Sequence, residues 1–146
     1  MYDDLPRHIL ATGVLVWDEV GCLLLVRTHN RDRLILPGGL VEESESPAEA
    51  GRREVLEEVG LTVKPGALLV VQHLLGTVDR PASVQLVFDS APLSDRPVLR
   101  LQPEEIAEAH WLEPAEAVRR SGERSRGRLE AALEARRRAT TMYLDA

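Results

Sequence analysis

Cysteine is nearly absent: Cys22 alone among 146 residues excludes an internal disulfide and a thiolate zinc cluster, and it fits a reducing compartment. Aromatic side chains are scarce too. Tyr2, Trp17, Phe88, Trp111 and Tyr143 are the whole set, so few groups can stack on a base. No uncharged apolar run approaches the ~20 residues that a bilayer-crossing helix needs, which excludes a membrane span. The opening MYDDLPRHILATG carries aspartates where a secretion signal carries positive charge, so a cytoplasmic protein is expected. His8, His29, His73 and His110 are scattered, without the close spacing of a metal-binding helix pair. Positive charge is in deficit, 18 Lys and Arg against 24 Asp and Glu, for a net charge of -6. That balance argues against general affinity for nucleic-acid backbones, and no stable nucleic-acid partner is expected.

What is present suffices for one domain spanning residues 1–146 and one core. Ile9 to Trp17 and Cys22 to Val26 are apolar, β-favouring runs around Asp18 to Gly21, which suggests a hairpin. A short strand, Leu34 to Leu36, should run into a loop at Pro37, Gly38 and Gly39. The clearest helix covers about Pro47 to Val59. Ser46 is a good N-cap, Pro47 sits at the first helical position, Glu49 completes a capping box and Gly60 supplies a stop. Ala67 to Leu75, Ser83 to Asp89 and Ala107 to Leu112 read as strands, and Pro114 to Arg120 as a short helix. After a loop from Ser121 to Gly127, Leu129, Ala132, Leu133 and Arg136 mark an amphipathic helix to about Ala139, its arginines on a solvated outer face. The simplest architecture is α/β, a mixed sheet with helices on both faces.

The charge is unevenly placed: seven glutamates lie between Glu42 and Glu58, while arginines crowd the last quarter of the chain. On a helical wheel Glu54, Glu57 and Glu58 fall on one arc, where pairs three and four apart repel by roughly 0.2–0.5 kcal/mol each. Glu57 and Glu58 also sit in the last turn, where the helix dipole disfavours negative charge. Arg53 cannot neutralise three carboxylates. Hard oxygen ligands of this kind suit magnesium or manganese, held together with substrate phosphate oxygens; charge geometry alone also admits an ordinary solvated acidic face. Gly38 and Gly39 lack Cβ and let the backbone approach a ligand, turning a carbonyl toward such a cation.

Together, Gly39, five residues, Glu45, seven residues, and then Arg53-Glu54-Val55-Leu56-Glu57-Glu58-Val59-Gly60-Leu61 resemble the Nudix box without a gap. Two neighbours depart from the common pattern: Leu34 stands where many relatives have Trp, and Ser44 where Gly is usual. The resemblance implies a Nudix-type α/β/α sandwich and metal-dependent hydrolysis of a nucleoside diphosphate linked to another group. It also implies Mg2+, or Mn2+, as cofactor. It assigns Glu57 and Glu58 as main metal ligands, Glu54 as a further ligand or the general base, and the Gly39 carbonyl as an additional ligand. Arg53 and Glu45 brace the loop and helix, with Gly38 supporting them. A carboxylate outside the box often completes such sites, and Glu105, or its neighbour Glu104, is the candidate.

Arg27 and Arg33 flank the segment leading to the glycine loop and are candidates for outer phosphates; Arg31 lies between them. The ligand expected is a nucleotide-type small molecule. A small hydrolase of nucleoside triphosphates similar to MutT-type enzymes is the first choice by size, with a nucleotide-sugar pyrophosphatase next. A non-catalytic nucleotide sensor would not need Glu54, Glu57 and Glu58 together. Isomerisation of an isoprenoid diphosphate would want a reactive cysteine, for which Cys22 is poorly placed. The oligomeric state stays open, a homodimer included.

Overall fold

Side chains on an extended backbone alternate between two faces, and here that alternation divides the core into two. Val14, Val16, Leu24 and Val26 belong to one buried cluster, and Leu15, Trp17, Leu23 and Leu25 to the other. The computed structural model describes residues 1–145. Its elements are β1 (Ile9–Val14), β2 (Leu23–Thr28), β3 (Gly38–Leu40), α1 (Pro47–Val59), β4 (Pro65–Leu74) and β5 (Ser83–Ser90), followed by β6 (Ile106–Leu112), α2 (Pro114–Arg120), α3 (Glu123–Arg138) and β7 (Met142–Asp145).

A five-stranded mixed sheet has the order β3-β1-β5-β4-β7, and β2 pairs with β6 as a separate two-stranded sheet. β1 runs parallel to β5 and antiparallel to β3, while β4 is parallel to β7. Helix α1 contributes Val55 and Val59 to the Val14 cluster; α2 and α3 contribute Ala117, Leu129, Ala132 and Ala135 to the Leu15 cluster. The result is an α/β/α arrangement. Each helix buries one apolar stripe against its own side of the sheets, and the single core expected from the sequence is two.

Helix α1 begins and ends where its sequence indicates. Ser46 Oγ accepts from the Glu49 N–H at 3.2 Å, Glu49 Oε1 accepts from the Ser46 N–H at 3.1 Å, and the Gly60 N–H closes the helix on Leu56 O. Three readings need correction, and one strand is additional. The hairpin is confined to its tip, where Asp18 N–H donates to Cys22 O and Leu24 N–H to Val16 O; beyond it β1 and β2 part into different sheets. Leu34 and Ile35 make isolated bridges only, and the strand lies instead at Gly38–Leu40, paired antiparallel with β1. Most of the Ser121 to Gly127 loop is the opening of α3. Finally, β7 extends the sheet beyond β4, where a parallel partner became available only through tertiary packing.

Candidate active site

The antiparallel pairing of β1 with β3 sets Gly39 opposite Thr12 and Gly38 opposite Gly13, and α1 packs across these strands. Space there is minimal. A Cβ on Gly39 would lie 2.6 Å from the Glu54 carboxyl, and one on Gly38 would lie 2.0 Å from Thr12 O. The missing side chains let the helix carboxylates lie directly on the β3 backbone.

Glu58 is the most enclosed of them, 2% exposed, and its Oε1 accepts from the Gly38 N–H at 3.0 Å. Burial pushes its pKa up to about 8 against that hydrogen bond, and the charges of Glu54, Glu105 and Glu57 add to the rise. Glu54 is raised as well, by burial first, with Arg53 opposing and Glu57 and Glu105 adding. The Glu105 carboxylate is thus close enough to be felt by both, although Glu105 itself is exposed.

Arg53 is the hub of the acidic arc. Its guanidinium donates to Glu45 Oε1 at 2.7 Å, to Glu54 Oε1 at 3.0 Å, to Glu57 Oε2 at 3.2 Å and to the Leu40 carbonyl at 3.1 Å. The hydrogen bonds from Arg53 to Glu45, with the Glu42 N–H assisting, hold the Glu45 carboxyl down at about 2. Arg53 in turn is raised above its ordinary range, chiefly by Glu45. These contacts tie the loop after β3 to the middle of α1.

Among the described residues, no three His, Cys, Asp or Glu side chains form a finished metal cage, and Arg53 holds Glu54 and Glu57 by hydrogen bonds. The donor set nevertheless fits a hard divalent cation. Glu58 is buried with one backbone hydrogen bond and, among the described residues, no basic side chain in salt-bridge range. Burial first, and then mutual repulsion, raises Glu54 and Glu58, and a +2 charge would offset the repulsion. Residues able to hold it are Glu58, Glu57, Glu54 and the Gly39 carbonyl.

Glu58 opens onto a cleft of about 1910 Å³ whose lining also includes Gly38, Gly39, Glu104 and Glu105. Arg33 lines this cleft, as does Arg31. Arg27 does not; it is taken by Glu108 at 3.2 Å and by the Arg31 carbonyl at 3.0 Å. None of the lining residues is Trp, Tyr or Phe. Trp17 is buried in the core with its Nε1 donating to Asp89, and Trp111 packs with the Val14 cluster. The sequence reading passed over Arg128 and Gln72, which line the cleft from α3 and β4. A signal did exist: Ser125, Arg128, Leu129 and Ala132 follow the spacing of a buried helix stripe, so Arg128 belongs to the inward face rather than the solvated one.

Comparison with known proteins gives the same picture. The NUDIX domain pattern matches residues 7–133. A "MutT-like protein" of Streptomyces ambofaciens is 34% identical over 120 residues, 81% of this chain and 72% of that one. A "CMP-5'-(N-acetyl-N-hydroxy-3-aminopropyl)phosphonate hydrolase" of Streptomyces rubellomurinus is 38% identical over 119 residues, 77% of this chain but 56% of that protein. The crystal structure of a MutT protein from Methanosarcina mazei Go1 superposes with a TM-score of 0.75 at 24% identity, covering 92% of this chain and 96% of the other. That last likeness concerns the fold.

Proposed function

The chain belongs to the Nudix hydrolase family, and from that premise we propose that it cleaves a nucleoside diphosphate linked to another moiety, foremost a (deoxy)nucleoside triphosphate to the monophosphate and pyrophosphate. Nudix hydrolases generally use a divalent metal; Mg2+ is the cation proposed here, with Mn2+ able to replace it. The observation that carries the reading is Glu58, buried at the floor of a cleft with Glu54 and Glu57 on the same helix arc and the bare Gly38–Gly39 backbone against it.

When bound, the cation neutralises diphosphate charge and lowers the pKa of an attacking water. Glu57 and Glu58 are assigned as its main ligands, with the Gly39 carbonyl beside them. Glu54, more basic than an ordinary carboxylate because it is buried, is assigned to accept the proton of the water that attacks phosphorus. The phosphoanhydride bond breaks as the new P–O bond forms, and pyrophosphate leaves. Arg53 and Glu45 are positioning residues that fix the loop on the helix, and Gly38 orients Glu58 through its N–H. Glu105 is a supplementary carboxylate at the cleft mouth, and Arg33 meets outer phosphate oxygens. Reaction in the cytoplasm is consistent with the single cysteine.

The second reading, a hydrolase of other nucleoside diphosphate derivatives, draws support from the similarity to the phosphonate hydrolase above. A panel of nucleoside triphosphates and nucleotide sugars, assayed with and without Mg2+, tests both. Magnesium-dependent release of pyrophosphate from a triphosphate is expected; release of a sugar phosphate alone supports the second reading, and a silent panel supports a sensor.

A further inference from the structure

Guanidinium groups are rarely buried without an acid to meet them, because removing the charge from water costs more than a neutral hydrogen bond returns. Arg128 is half-buried and, among the described residues, has no acid beside it. It projects from the second turn of α3 into the cleft and lies mostly out of solvent; its Nε donates to Gln72 Oε1 on β4 at 2.8 Å. No carboxylate among the described residues lies within salt-bridge distance, and no described acceptor meets Nη1 or Nη2. Both terminal nitrogens are therefore left as a free fork. Burial lowers the pKa of Arg128, and the nearby positive charge of Arg31 lowers it further.

Arg126, two residues before it on the same helix, does not share this condition. Arg126 spends its donors on the carbonyls of Val118 and Ser121 at the end of α2, a structural cap. Gln72 can only brace Arg128 on one edge, which aims the opposite edge at the cleft. A planar fork held in this way matches two oxygens of a carboxylate or phosphate. Among the described residues, the same cleft is lined by no Trp, Tyr or Phe on which an uncharged base would stack.

We propose that Arg128, positioned by Gln72 and assisted by Arg31, is a specificity-determining residue that binds an oxyanion, phosphate or carboxylate, carried by the group X of an NDP-X substrate. This rests on the pyrophosphohydrolase reading for its meaning, but the binding step is separable from hydrolysis. Triphosphates and nucleotide sugars bearing an acid group are then substrates of one class, and nucleotide sugars with a neutral hexose are poor ones.

The first test needs no turnover. Inorganic phosphate and acetate are titrated into the metal-free wild-type protein in chelator while the Arg128 Nε–H signal is followed by NMR, the signal being identified by its loss in Arg128→Lys. A saturable shift of that signal by either anion is expected, the responding anion identifying the source, and calorimetric titration of the same anion should give binding weakened roughly tenfold in Arg128→Met. No shift by either anion overturns the proposal. The second test compares UTP, UDP-glucuronate and UDP-glucose with Mg2+. The wild type should favour the first, the second or both over UDP-glucose through KM. Arg128→Met should weaken that preference roughly tenfold, through KM for the acidic substrates, and Arg128→Lys should restore it in part. An unchanged preference in Arg128→Met overturns the proposal. Anion binding at Arg128 in a protein that hydrolyses nothing upholds the subsite and refutes the hydrolase reading.

Discussion

Replacing Glu58 by Gln should stabilise the metal-free protein while abolishing its hydrolysis. Glu58 has a pKa of about 8 against an ordinary 4.5, so between those values the folded chain holds a proton that the unfolded chain has released. Stability therefore falls as pH rises through that window, by up to 1.36 kcal/mol per unit, and is level below it. At pH 7 the accumulated penalty is on the order of 3 kcal/mol, worked from two and a half units. Glutamine keeps an oxygen to accept from the Gly38 N–H at 3.0 Å and carries no charge, so it removes the penalty. For a chain of this length about 3 kcal/mol corresponds to a rise in Tm on the order of 10 °C. The assay is thermal unfolding of both proteins in chelator from pH 5 to 8.5. The two curves should coincide near pH 5 and separate progressively above it. Adding millimolar Mg2+ should raise the wild type and leave the variant in place, reversing the gain. A wild-type Tm that is level across this range, or a variant no more stable at pH 8, refutes the argument that Glu58 is buried at an electrostatic cost.

Other perturbations separate positioning from folding. Gly39→Ala places a methyl where the Glu54 carboxyl lies, so kcat should fall at least tenfold with Tm little changed, whereas Gly38→Ala meets the Thr12 backbone and should lower Tm outright. Arg53→Lys keeps the charge but loses the fork on Glu45 and the contact to Leu40 O; kcat should drop by roughly tenfold or more, measured against circular dichroism to show the helix intact. Asp18 is buried under Arg96 and accepts from the Val20 and Cys22 N–H groups; burial pushes its pKa up, but these bonds more than reverse that and leave it below the ordinary value. Its contribution is present above the unfolded pKa and is lost as pH falls through the folded one. Asp18→Asn should therefore cost about 2 kcal/mol in urea unfolding at pH 7, a difference that shrinks below pH 4.

Helix α1 was readable because its information is local. The capping box, the proline at its first turn and the glycine at its end each act within four residues, and the structure reproduces all three. Pairing partners are not local. The alternation of Val14 to Trp17 and of Leu23 to Val26 reads alike whether the two runs pair with each other or separate into two sheets, and only the positions of β5 and β6 decide it. The start of α3 was obscured for a different reason: Gly122 supplies no side-chain cap, and Glu123 to Arg126 are charged or polar, so the helix is held there by packing that follows from β4.

The two walls of the cleft illustrate the same division. The acidic side, which reaches the cleft through Glu58, announced itself as a conflict inside one helix: Glu54, Glu57 and Glu58 repel, and the last turn of α1 contains no basic residue to satisfy the dipole. Such a conflict persists only where something outside the helix resolves it, which makes it a signal that one sequence can carry. The basic wall shows no conflict in sequence. Arg128 sits among exposed arginines, and its isolation arises only when α3 lays it against Gln72 and away from every described carboxylate. A half-buried charge left without a described counter-charge carries the same meaning as the glutamate cluster with opposite sign. The glutamates call for a cation and the proposed subsite at Arg128 for an anion, so the ligand the proposal predicts is a cation-bound polyphosphate bearing a further acid group.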